Sequence, residues 1–154
     1  MGFAEANLFV KVSFALALAA FLFHIIGFST EYWRSVDFGI LNFHEGLWSY
    51  GNNVPLQSWF EATQAFETLG FIAALAALVL IVLYIFVPQT SGKRIICILS
   101  MLACFAAAGC IMLGIIIYGS KVERNLSWSF ALCCIAGIIF GVSGVLLLID
   151  MVKK

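Results

Sequence analysis

Four stretches of this chain are long and apolar enough to cross a bilayer, and nothing else constrains its fold as strongly. They cover about residues 8–29, 68–87, 95–118 and 130–149. A membrane helix needs about 20 mostly apolar residues to bridge a hydrocarbon core of about 30 Å. Lipid offers no partner to backbone N–H and C=O groups, so each stretch is expected to fold as a helix. Hydrophobic residues make up 64% of the 154 and charged residues 10%, against about 45–50% and 25% in soluble domains. A soluble core of this size could not hide that apolar surface. The expectation is one four-span membrane domain over residues 1–154. The first span is expected to be retained rather than cleaved as a signal peptide. Its apolar run exceeds the roughly 7–15 residues of a signal core, and Glu5 interrupts the cationic start such a peptide needs.

Four spans put both termini on one side, and Lys and Arg choose which. With the termini in the cytoplasm, the inner side holds Lys11, Lys93, Arg94, Lys153 and Lys154, and the outer side only Arg34, Lys121 and Arg124. Glu31, Asp37, Glu45, Glu61, Glu67 and Glu123 are then assigned outside. Asn125-Leu126-Ser127, a candidate acceptor for N-glycosylation at Asn125, falls on the same outer side. With eight cations balanced by eight acids, no basic face can be assembled for nucleic acid.

Small residues mark where membrane helices approach closely. Ala106, Cys110 and Gly114 recur at four-residue spacing in the third span, and Gly137, Gly141 and Gly144 line the fourth. They are expected to pack the helices within one bundle. His24 is expected to act as a hydrogen-bonding group of the bundle, without a carboxylate at its depth. Asp150 is expected to form a surface ion pair with Lys153 and Lys154. All five cysteines lie in the last two spans, and none forms a CxxC pair. Cys97, just past Lys93-Arg94, is a candidate for S-palmitoylation. No metal constellation, cofactor motif or nucleophile–base pair is expected, and no catalytic residue.

The segment of about residues 31–50 reads differently. Aromatic and β-branched residues alternate with polar ones, punctuated by Gly, Asp and Asn, which is a strand pattern. Ser58-Trp59-Phe60-Glu61 then has the form of a capping box. The second helix should therefore begin well before its apolar stretch and project outside.

Trp33, Gly46-Leu47-Trp48 and the run Trp59-Phe60-Glu61-Ala62-Thr63-Gln64-Ala65, set in a four-span frame, resemble the peripheral myelin protein, epithelial membrane protein and claudin family. The resemblance implies an all-α transmembrane four-helix bundle with a small extracellular antiparallel β-sheet. It makes Trp33, Gly46, Leu47, Trp48 and Trp59 signature positions of the fold. It also implies a disulfide in the first outer loop, and here the chain departs: no cysteine lies between Trp33 and Glu67. The functional expectation is a non-enzymatic, multi-pass plasma-membrane protein. It would organise cell junctions or membrane contacts through its outer loops and by lateral self-association. The alternative is an auxiliary subunit of an ion channel or receptor. A small four-span enzyme is the least favoured, since it would need a polar cluster at membrane depth. The partners expected are the lipid bilayer and other membrane proteins.

Overall fold

The computed structural model describes residues 8–30, 33–37, 42–45, 58–87, 89, 93–121 and 128–153. These contain four long helices: α1 (Leu8–Ser29), α2 (Ser58–Phe86), α3 (Arg94–Lys121) and α4 (Trp128–Lys153). Neither proline, Pro55 or Pro88, falls inside them, so each ladder of backbone hydrogen bonds runs unbroken. All four are long and apolar enough to cross a membrane. At about 1.5 Å per residue, the 29 residues of α2 span about 44 Å. That exceeds a bilayer core by more than two turns. α2 starts at Ser58 with Glu61 in its first turn, where a carboxylate complements the positive end of the helix dipole.

Small residues are frequent on the buried face of each helix. In α1 the buried positions are Val10, Ser13, Ala17, Ala20, His24 and Gly27. In α2 they include Phe60, Thr63, Glu67, Gly70, Ala74 and Ala77; in α3, Cys97, Ser100, Cys104, Ala107, Ile111 and Gly114. In α4 they include Ser129, Cys133, Ala136, Phe140, Ser143, Leu147 and Asp150. Within these sets the spacing alternates between three and four residues. That 3.5-residue period is the one that winds helices left-handedly around each other. Large aliphatic side chains such as Leu22, Ile72, Leu102, Ile116 and Ile138 point outward. Both faces are apolar, so the repeat of buried positions rather than hydrophobicity marks the seam; small residues let the helices approach, and Phe60, Ile81, Tyr84, Ile111, Tyr118 and Phe140 fill the space between them.

The helices form a closed ring. α2 packs most extensively on α3, α1 on α4, and α4 on α3, with a slimmer contact closing α1 on α2. Phe21 and Phe28 fill that slimmer side by stacking on Phe71, at ring-centroid distances of 5.5 and 5.6 Å. Between α1 and α4 the hydroxyls of Ser13 and Ser143 lie 2.6 Å apart. Each is also within 3.0 Å of the other residue's carbonyl. Gly137 and Gly144 press against Met112 and Phe105 of α3, and Gly141 faces Ala108. The stripe expected on α3 is only partly used. Gly114 is buried and Cys110 half-buried, but Ala106 faces outward. Cys104 and Ala107 occupy the seam instead, because the 3.5-residue period passes through them.

Between α1 and α2, strands β1 (Arg34–Asp37) and β2 (Asn42–Glu45) pair antiparallel, with Arg34 opposite Glu45 and Asp37 opposite Asn42. Gly46, Leu47, Trp48 and Asn125 lie outside the described residues.

Two inner-end expectations are corrected. Asp150 is fully buried, not at the surface, and accepts a hydrogen bond of 3.4 Å from the Tyr84 hydroxyl. Lys153 instead places its ammonium 4.7 Å above the Phe9 ring. Cys97 is 2% exposed and directs its thiol at the Leu147 carbonyl, 3.9 Å away. The reason is again the period: Cys97 and Asp150 fall on the buried registers of their helices. An acyl chain cannot be attached to a thiol facing the bundle. A chain whose only cysteine is Cys97 should resist a membrane-permeant maleimide when folded and react once denatured. Rapid labelling of the folded protein would contradict the assigned orientation.

Candidate functional site: a polar cluster beneath an aromatic cap

His24 of α1 is fully buried, and so is Glu67 of α2. His24 Nε2 lies 3.3 Å from the Glu67 carbonyl oxygen, and Nδ1 lies 3.8 Å from Glu67 Oε2. The second distance is too long for a hydrogen bond. His24 Nδ1 and both Glu67 carboxyl oxygens have no hydrogen-bond partner among the described residues. Cys133 of α4, also fully buried, completes the group: one donor atom from each of the three residues lies within 4.8 Å of the others. This corrects the expectation that His24 has no carboxylate at its depth. It also corrects the assignment of Glu67 to the outer surface, and with it the absence of a polar cluster at membrane depth.

Glycines make room for this group. A Cβ on Gly114 of α3 would sit 2.6 Å from Glu67 Oε1, and a Cβ on Gly27 of α1 would sit 2.6 Å from Cys133 Sγ. All four helices therefore shape the site at one level. Phe28 and Phe71 flank the imidazole, with ring centroids 5.5 and 6.2 Å from it.

An aromatic cap adjoins the cluster. Trp33 has no exposed surface, and its indole N–H donates a 2.7 Å hydrogen bond to the Gly27 carbonyl. That carbonyl belongs to the last turn of α1, where no intrahelical donor remains. The Trp33 ring packs edge-on to Tyr118 of α3 and Phe130 of α4, at centroid distances of 5.0 and 5.6 Å. Trp59 and Phe60 of α2 reach Tyr118 at 6.1 and 6.3 Å. Thr30, at the end of α1, is hydrogen-bonded to Ser129 of α4. Trp33 and Trp59 thus share one aromatic cluster touching all four helices.

Polar groups buried without partners cost about 1–3 kcal/mol each, and ionisable residues inside a membrane bundle mark function more often than stability. The sequence did carry a signal for this site. Glu67 lies on the same three-and-four stripe as Gly70 and Ala74, His24 on that of Ala20 and Gly27, and Cys133 on that of Ala136 and Phe140. Reading the packed stripe before drawing the end of the span would have turned all three inward. Their meeting at one depth required the register between helices, which no single-helix pattern supplies.

No family model matches the chain. Protein NKG7 from Homo sapiens is 27% identical over 137 aligned residues, covering 81% of each chain. The chain is similar to that protein over most of both lengths, and its four membrane-capable helices make it a multi-pass membrane protein.

Proposed function

We propose that this chain is a claudin-like, non-enzymatic four-span protein. It organises contacts or junctions at the plasma membrane through its outer segment and by lateral self-association. Both termini lie in the cytoplasm, and the β1–β2 ribbon extends the outer face as a small extracellular sheet. The observation that carries this reading is the seat of Trp33. One indole fastens the start of the outer segment to α1 by a hydrogen bond and to α3 and α4 by ring packing. β1 begins one residue after Trp33 and so starts from a fixed point on the bundle. The likeness to Protein NKG7 and the four-span frame support the claudin-like character, and the excess of Lys and Arg on the inner side supports the orientation.

Purification of the tagged protein from cells in mild detergent, with proximity labelling at cell contacts, tests the role. Self-association together with enrichment at contacts is the expected result. Stoichiometric recovery of a channel or receptor, without contact enrichment, would overturn it in favour of an auxiliary subunit.

A further inference from the structure

We propose that His24, Glu67 and Cys133 bind one divalent metal ion of borderline softness, zinc by the chemistry of the donors, and that this ion ties α1, α2 and α4 together beneath the aromatic cap. The inference stands apart from the contact role proposed above.

The first argument is distance. His24 Nδ1 and Glu67 Oε2 are 3.8 Å apart, and the three-residue donor set fits within 4.8 Å. Ligands arranged tetrahedrally around zinc, at about 2.0–2.3 Å from it, stand roughly 3.4–3.7 Å from one another. The group is too open to satisfy itself by hydrogen bonds, yet closes on an ion with shifts of about 1 Å. The second argument is the set of buried, unpartnered atoms: His24 Nδ1, Glu67 Oε1 and Glu67 Oε2. With the Cys133 sulfur they make a three-residue ligand set: the carboxyl group fills one vertex of a tetrahedron, its two oxygens being too close together to fill two, and the fourth vertex is open to water. The third is charge. Metal binding uses a thiolate, a carboxylate and a neutral imidazole. The thiol proton and the proton of the buried Glu67 carboxyl leave to solvent, and the two anionic ligands cancel the two charges of the ion, so the filled site is neutral in a medium that penalises net charge. The mixed imidazole, thiolate and carboxylate set suits zinc rather than magnesium or calcium.

The surroundings fit a tie of this kind. Gly27 and Gly114 leave space at the sulfur and the carboxyl that a single methyl group would take. The outer segment between Trp33 and Glu67 has no cysteine to cross-link it. An ion shared by three helices supplies such a link, because metal-binding free energy acts as folding free energy.

Since all three ligands are buried, the ion must be present while the helices assemble. The test therefore uses the full chain made by cell-free synthesis into lipid nanodiscs, in a chelator-treated mixture supplemented with ZnCl2 or CoCl2. The expected result is about one zinc per chain after gel filtration, falling at least about tenfold in C133S and E67Q. The cobalt-loaded protein should show a thiolate-to-cobalt charge-transfer band that C133S abolishes and C134S retains. Should C133S fail to fold, the wild-type zinc stoichiometry and the C134S spectrum still decide. A monodisperse, helical wild-type chain that retains no zinc would overturn the proposal. So would a cobalt–thiolate band that survives in folded C133S, or equal zinc in wild type and both ligand variants.

Discussion

Replacing Trp33 with alanine should unseat the outer segment and leave most of the protein retained in the endoplasmic reticulum. Trp33 is fully buried and packs on Tyr118 and Phe130. Truncating a buried aromatic to alanine costs about 3–5 kcal/mol, a large part of a typical stability of about 5–15 kcal/mol. The loss also strips the Gly27 carbonyl of its indole donor. Trp33→Phe separates the two effects. It keeps most of the ring packing and should cost nearer the 1 kcal/mol typical of one hydrogen bond. Surface delivery and resistance to SDS-induced unfolding in mixed micelles should therefore rank wild type, Trp33→Phe, Trp33→Ala. Normal delivery and unchanged unfolding of Trp33→Ala would remove Trp33 from its anchoring role, and with it the main support for the proposed contact role.

The helices were legible because length and hydropathy decide them before packing does. A run such as residues 95–118, without a charge, has no alternative to a helix in lipid. The early start of α2 was legible from local chemistry, in the Ser58 and Glu61 pair. Depth and direction were harder. Glu67 lies at the edge of an apolar run, where its charge suggested an outer surface, yet nine residues of helix precede it from Ser58 and its stripe turns inward. Cys97 and Asp150 were misread for the same reason. Proximity to Lys93, Lys153 and Lys154 in sequence outweighed the helical phase that buries them. Ala106 shows the converse: four-residue spacing to Cys110 and Gly114 drifts off a seam whose true repeat is 3.5 residues. Hydropathy reports membrane against water, whereas the site depends on which face of each helix meets its neighbours.

The glycines at the site turn that distinction into a measurable contrast. Gly27→Ala places a methyl group 2.6 Å from Cys133 Sγ and 2.7 Å from the Ser129 carbonyl oxygen. The second neighbour is backbone, so no rotamer change relieves the clash, and α1 and α4 must move apart along one of their closest approaches. Overpacking of this kind costs about 1–3 kcal/mol. The same displacement draws Cys133 away from His24 and Glu67 and loosens the Trp33 anchor on the Gly27 carbonyl. Gly109→Ala makes the same chemical change on α3 where nothing lies within 4 Å of the new methyl. There the lower backbone entropy of alanine should stabilise the helix by about 0.5–1 kcal/mol. The two substitutions are thus expected to shift the unfolding midpoint in opposite directions, down for Gly27→Ala and up or unchanged for Gly109→Ala. Midpoints that move together would mean that helix propensity governs both sites. The close approach of α1 to α4 at Gly27, on which the geometry of the polar cluster depends, would then be wrong.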